Sequence, residues 1–314
     1  MFIFRVDHVL PNQTDSLESG KTITKRSMLS DISKIFDPMG WLVPVALKLK
    51  LMMHAAWLQK FDLDSPLPKD ISCAFLLWRN NLVSLRQISI HRFVFSDFST
   101  SSNQLHVFCD ASQAAYAACI YLRTEDQVTG GVQVSLLTSK SKVAPLKQVS
   151  LPRLELCAAL LGSRLFLAVT RALSKIDVPI SSVFGWTDAT IVLNWLSEVP
   201  RQWSVFVANR VTKIQAIIPR ASWNHVGTLQ NPADLGTRGF EPDQLRNCVL
   251  WWQGPEWLSE IDLVIPIQPR TTVGCLEERR KDAINAFTAT LVPDPSGIIN
   301  IEDFSTFRRL VRVL

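Results

Sequence analysis

Leu105-His106-Val107-Phe108-Cys109-Asp110-Ala111 is an apolar run that ends on an acid followed by a small residue, and Val183-Phe184-Gly185-Trp186-Thr187-Asp188-Ala189 repeats the arrangement further along. An acid placed directly after a hydrophobic strand projects at the strand's carboxyl end, where α/β sheets gather their ligands. The same placement also suits an aspartate that caps a following helix, so either acid alone has two readings. Outward from the first run, Ala115–Leu122 and Val132–Thr138 are short apolar or alternating stretches separated by turn formers. Together with 105–109 they predict three consecutive antiparallel strands. A long helix over about 152–174, a strand over 182–187, helices near 191–196 and 203–217 and a last strand near 223–226 follow. The order βββαβα(α)βα predicts an α/β arrangement around a mixed sheet.

Two further acids stand in unusual company. Glu155 opens the long helix as Pro152-Arg153-Leu154-Glu155-Leu156-Cys157-Ala158-Ala159, where an ionised side chain is costly unless paired or bound to a cation. Ala158, Ala159 and Gly162 share its face, so the helix can press on the sheet and bring the carboxylate toward the strand-end aspartates. A glutamate in a first turn can also serve only the helix dipole. In Asn231-Pro232-Ala233-Asp234-Leu235-Gly236, Asn231 can cap, Pro232 takes the first helical position and Asp234 falls in the first turn. Asp110, Glu155, Asp188 and Asp234 would together form a hard, oxygen-only site suited to magnesium or manganese. Two such ions can activate water and stabilise a leaving oxygen in phosphodiester hydrolysis. Four close carboxylates repel one another, which predicts a poorly ordered or partly protonated site until metal binds.

The 314 residues carry 33 Lys+Arg and 28 Asp+Glu, a net +5 that is compatible with a polyanionic partner but decides little alone. Between Gln127 and Ile176, however, seven cations face the single acid Glu155. Lys140, Lys142, Lys147 and Arg153 are therefore candidate phosphate contacts, although such a run can equally be a solvated face. The apolar stretch 41–58 is broken by Lys48 and Lys50, which argues against a membrane span, and the first residues lack a signal peptide. Six cysteines without a CxxC pair read as buried thiols in a reducing compartment.

The N-terminal third predicts helices with turns between them. Ser27 or Ser30 can cap the first, Asp37-Pro38-Met39-Gly40 breaks it, and Pro44 opens a helix over 44–60 with Val43, Leu47, Leu51, Ala55 and Leu58 as its apolar face. Ile71, Phe75, Trp78, Leu82 and Leu85 repeat that spacing. The polar stretch 97–104 divides the chain into a helical segment (1–96), an α/β domain (97–260) and a linker-like tail (261–314).

In order, Val107-Phe108-Cys109-Asp110-Ala111-Ser112, Pro152-Arg153-Leu154-Glu155-Leu156, Trp186-Thr187-Asp188-Ala189 and Asn231-Pro232-Ala233-Asp234-Leu235-Gly236-Thr237-Arg238-Gly239 resemble the ribonuclease H domain of Bel/Pao-type LTR retrotransposon polyproteins. Thr24–Ser30, Ile35–Gly40 and Pro44-Val45 look like the segment these elements place between polymerase and ribonuclease H, and Leu250–Leu258 like the sequence after the nuclease. The resemblance implies a ribonuclease H-like fold, a mixed five-stranded sheet with flanking helices preceded by a mostly helical connection segment. It implies that Asp110, Glu155, Asp188 and Asp234 are metal ligands for two Mg²⁺ ions, with Mn²⁺ an alternative, and that an RNA–DNA hybrid is the substrate. His225 matches a mobile histidine that assists proton transfer or product release, and can also be a strand-end structural residue. Gly236-Thr237-Arg238 stands where relatives more often carry Ala-Ser-Arg, and Met39-Gly40-Trp41 where Leu-Gly-Leu is usual; neither difference is expected to touch a ligand.

No Tyr-x-Asp-Asp, Asp-Thr-Gly or integrase zinc pattern occurs, so polymerase, protease and integrase centres are not expected. The tail near Phe304–Leu310 looks like a lead into an integrase, and other parts of the Pol polyprotein are the implied partners. A catalytically idle nucleic-acid-binding or dimer-forming remnant is the rival reading. Trp203, Trp223, Trp251 and Trp252 could stack on bases, or fill the core.

Overall fold

The two apolar runs that end on acids lie side by side. In a computed structural model that describes residues 2–4, 22–90, 101–261, 263 and 278–279, short strands β1 (Phe2–Ile3) and β2 (Ser89–Ile90) pair antiparallel, apart from a five-stranded sheet. The latter comprises β3 (Ser101–Ala111), β4 (Ala115–Asp126), β5 (Val132–Val143), β6 (Ser182–Thr187) and β7 (Trp223–His225) in the order β5-β4-β3-β6-β7. β3, β4 and β5 are antiparallel, as their spacing predicts, while β6 runs parallel to β3 and β7 parallel to β6. Parallel neighbours bring the carboxyl ends of β3 and β6 to one edge, with Cys109 opposite Thr187. β3 begins at Ser101, inside the stretch expected to be a loop; residues 97–100 lie outside the described residues.

Helices α1 (Lys25–Ser33), α2 (Val43–Leu58) and α3 (Lys69–Asn81) precede the sheet; α4 (Leu151–Ser174), α5 (Thr190–Ser197) and α6 (Val205–Gln215) follow its first three strands; short α7 (Leu235–Arg238), α8 (Pro242–Leu245) and α9 (Val249–Gln253) close it. Both sheet faces are buried. Leu105, Val107 and Cys109 of β3 join a core with α4, α5 and α6, whereas Phe108 and Trp186 join one with the N-terminal helices. Every described residue belongs to one compact unit; most of the tail, including 304–310, lies outside the described residues.

α4 lies close on the sheet because its small face allows it. A Cβ on Gly162 would stand 2.5 Å from Cys109 Sγ and 2.9 Å from Val107 Cγ1. By length and hydropathy α4 could cross a bilayer, but it is the helix that covers β3 and β4 and packs on α6. The five described cysteines are free thiols, with Cys109 and Cys119 buried and Cys73 exposed.

Several local expectations change. Thr24, not Ser27 or Ser30, caps α1: its hydroxyl accepts from Ser27 N–H while the Ser27 hydroxyl accepts from Thr24 N–H. α2 buries Leu49, Met53 and Ala56 and leaves Leu58 57% exposed, so Leu51, Ala55 and Leu58 do not form its core face. The reason is that α2 packs on α1 and α3 as well as on β5 and α7, and a helix enclosed by several elements has no single apolar stripe. Ile71, Phe75, Trp78, Leu82 and Leu85 are all buried as their spacing predicts. Trp203, Trp223 and Trp251 are core residues, which removes them from base stacking.

The break at Asp37–Gly40 also has a tertiary task. The Asp37 carboxylate accepts the N–H groups of Trp41 and Leu42 at 2.9 and 2.7 Å, forming a turn that docks on β5. There Met39 O accepts from Ser139 N–H and Thr138 Oγ1, and Trp41 Nε1 donates to Leu136 O at 3.1 Å. β5 is bulged opposite Ile120/Tyr121, at this same point. On the next strand, buried Arg123 donates to the carbonyls of Leu258, Glu260 and Ile261, which fixes the chain beyond α9.

Candidate metal centre

Asp110 is the next-to-last residue of β3, Asp188 directly follows β6, and Glu155 sits one turn into α4. Their carboxylates converge: each offers an oxygen, and the three oxygens lie within 4.8 Å of one another. The helix-cap reading fails for both aspartates, because Asp110 is within a strand and Ala189 precedes α5 at the cap position. The dipole reading fails for Glu155, because α4 starts at Leu151, a residue earlier than expected, leaving no acid in its first turn.

The electrostatics are those of an acid cluster short of countercharge. Burial, opposed by a hydrogen bond from Thr237, and the charges of Asp188 and Asp234 push Asp110 up to about 7. Burial again leads for Glu155, which Asp110 and Asp188 help to raise to about 9 against a stabilising bond from Ala111 N–H. Glu155 Oε2 is buried with no hydrogen-bond partner. An unpartnered buried oxygen among three carboxylates, without nitrogen or sulfur donors, is what a hard divalent cation requires. The fit of Mg²⁺ or Mn²⁺ to these residues is therefore good.

Asp234 is placed by a segment stitched to the end of β3. Asn231, fully buried, donates from Nδ2 to Cys109 O at 3.0 Å and accepts from Ala233 N–H, capping the turn Pro232–Asp234. Ser112 Oγ donates to Thr237 O at 3.0 Å. The Asp234 carboxylate reaches the others electrostatically but is held at 2.6 Å by Arg238 Nε. Three of the four acids thus share one point, with Asp234 beside them in an ion pair.

The expectation that position 237 touches no ligand is corrected: buried Thr237 directs its hydroxyl to Asp110 Oδ2, and also lies 2.9 Å from Asp234 O. Thr228 donates similarly to Asp188 Oδ2 at 2.7 Å. Neither contact is visible in a motif, since each joins residues far apart in sequence; the only sequence signal is a hydroxyl residue near an acid. Replacing Thr237 by Val, which keeps the shape and deletes the donor, is expected to weaken Mg²⁺ binding about tenfold, whereas Thr237→Ser retains it. Titrating Mg²⁺ by thermal shift on both variants measures this, and equal midpoints would sink it.

His225 ends β7 half-buried, with Thr187 as its register partner, and so lies on the Asp188 side of the sheet edge. Lys140, Lys142 and Lys147 are exposed on or just after β5. Arg153 is engaged: its guanidinium pairs with Glu278 at 2.6 Å and lies over the Phe206 ring.

A family model described as a Pao retrotransposon-like RNaseH-like domain matches residues 24–189, from the cap of α1 to the residue after Asp188. No curated protein matches the chain. Among solved structures, ribonuclease H1 from the halophilic archaeon Halobacterium salinarum NRC-1 is similar at 9% identity and TM-score 0.26, over 42% of this chain and 90% of that one. An N-terminal ribonuclease H domain from Mycobacterium tuberculosis, solved as a fusion with maltose-binding protein, is similar at 12% identity and TM-score 0.26, over 41% and 86%. A foamy viral protease–reverse transcriptase in complex with double-stranded DNA is similar at 12% identity and TM-score 0.23; 73% of this chain matches 38% of that one. At such scores the fold rests on the sheet order and the family match.

Proposed function

Because the chain belongs to the Pao retrotransposon-like RNaseH-like domain family, we propose that it hydrolyses the RNA strand of RNA–DNA hybrids, with divalent metal held by Asp110, Glu155, Asp188 and Asp234. The observation that carries this reading is the convergence of three carboxylates within 4.8 Å, one with an unpartnered buried oxygen, where β3 and β6 end. Bound Mg²⁺ would supply an activated water and charge neutralisation at the scissile phosphate and the departing 3′ oxygen.

The chain's own residues prepare that chemistry. Thr237 and Thr228 fix the orientation of Asp110 and Asp188, so that their free oxygens face the cluster. Asp234 joins by leaving Arg238, which is exposed and loses little when the pair opens. His225 is the nearby group suited to carry a proton to or from product. Lys140, Lys142 and Lys147 supply phosphate contacts, and Arg153 does so when Glu278 releases it. Residues 1–96 act as the connection-like segment, 97–260 as the nuclease and 261–314 as a lead into further Pol segments, with the protein working in a reducing, cytoplasmic or particle-associated setting.

Incubating the full chain with an RNA–DNA hybrid labelled on the RNA strand tests the reading. RNA fragments should form with Mg²⁺ or Mn²⁺, not in EDTA, and a DNA duplex should stay intact. Hybrid binding without cleavage above the EDTA control would favour the idle binding module.

A further inference from the structure

On the far side of α4 from Glu155 lies a cavity of about 300 Å³ whose walls come from β4, β5, α4 and α6. Tyr116, Lys142, Arg164, Asn209, Arg210 and Lys213 supply its polar lining, and no carboxylate among the described residues lines it. None of the four cations makes an ion pair with a described acid. Arg210 is fixed: it stacks on Phe206, its guanidinium carbon 3.4 Å from the ring centroid, and donates to Phe206 O, while its buried Nε has no partner.

From this arrangement we infer that the cavity is a second nucleic-acid subsite, binding a backbone phosphate of the hybrid away from the metal centre. The inference rests on the hybrid-binding reading. Convergent cations without countercharge repel one another, and the cost is recovered when a multivalent anion enters. The Lys142 ammonium, exposed at the residue level but partly desolvated at the cavity wall, lies below its ordinary range, lowered first by that desolvation and then by Lys140 and Arg164. Asn209 and the Tyr116 hydroxyl add neutral donors of the kind that orient phosphate oxygens. The position favours a polymer over a free anion. Tyr116 adjoins Ala117, the register partner of Asp110, and Arg164 is roughly 14 Å along α4 from Glu155 at the usual rise per residue. One strand could touch the metal centre and the cavity a few nucleotides apart.

Fluorescence anisotropy with a labelled RNA–DNA hybrid in EDTA tests binding without turnover. The full-length Arg164→Gln/Lys213→Gln variant, altered at two exposed side chains, should bind about tenfold more weakly near 100 mM salt. Its slope of log K against log salt should be shallower by about 1–2. Lys60→Gln/Lys69→Gln, the same charge change at the turn after α2 and at the start of α3, should stay within twofold, and Arg164→Lys/Lys213→Arg should bind like wild type. Wild-type affinity and slope in the first variant, an equal loss in the control pair, or no hybrid binding by wild type would each overturn the subsite. A wild-type chain that binds through these residues yet cleaves nothing with Mg²⁺ would instead overturn the nuclease reading and leave the subsite standing.

Discussion

Asp110→Asn is expected to reduce hybrid cleavage about a thousandfold while making the metal-free protein more stable at pH 8. The first effect follows from removing one of the three acids whose oxygens converge within 4.8 Å: several kcal/mol of charge stabilisation are lost, and each ~1.4 kcal/mol is tenfold in rate. The second follows from the raised acids. Asp110 titrates near 7 and Glu155 near 9 in the folded chain, against 3.8 and 4.5 ordinarily. Between those values the folded state holds protons that the unfolded state releases, so stability falls as pH rises from about 4 to 9, then levels off. At pH 8 Asp110 is largely ionised beside its neighbours, and asparagine removes that charge while still accepting from Thr237. A gain of about 2 kcal/mol, some 4–8 °C in Tm, is expected. Mg²⁺ should raise the wild-type Tm and leave the variant's nearly unchanged. Melting curves from pH 5 to 9 with and without Mg²⁺ read both effects; identical curves for the two proteins would refute the assignment of Asp110.

The second large effect concerns assembly. Gly40 has φ +74°, and a Cβ there would stand 1.9 Å from Ser139 O. Gly40→Ala therefore adds a backbone penalty of about 1–2 kcal/mol and forces the Met39–Trp41 turn off β5, where Met39 O and Trp41 Nε1 make their bonds. About 4 kcal/mol in all, or roughly 8–16 °C, is the expected cost. Gly130 is the control: its φ is +69° but nothing lies within 4 Å of the added Cβ, so Gly130→Ala should show the backbone penalty alone. Calorimetry separates the two, and hydrogen exchange should find the Ser139 amide, bonded to Met39 O, newly exposed in the Gly40 variant. Equal losses at both glycines would mean that the turn does not secure the sheet edge.

Much of the α/β architecture was legible because its signals are local. Short apolar or alternating runs mark β3, β4 and β5, an apolar run stopping on an acid marks the edge where the carboxylates gather, and the small residues around Glu155 foretell how closely α4 approaches. Asn231 and Pro232 announce the turn that carries Asp234. What stayed hidden depends on partners distant in sequence. Thr237 looked like a neutral replacement because its contact is Asp110; Arg153 looked like a free cation because Glu278 holds it. The face of α2 was misread because several elements enclose that helix. The Arg210 cavity needed α4 and α6 brought together before its cations could be seen to converge.

Arg123 has a mechanical consequence. A guanidinium keeps its charge, and in the core the carbonyls of Leu258, Glu260 and Ile261 serve as its solvation shell. Pulling the chain away beyond residue 261 would remove those carbonyl acceptors and leave the buried guanidinium with only the Glu125 carboxylate, 2.8 Å away on the same strand. Tension applied from downstream is thus transmitted into β4, a strand hydrogen-bonded on both sides, and not into the short helices α8 and α9, which would otherwise peel first. The exit of the polypeptide from the α/β domain acts as a strain relief, holding α8 and α9 in place against motion in whatever is joined there.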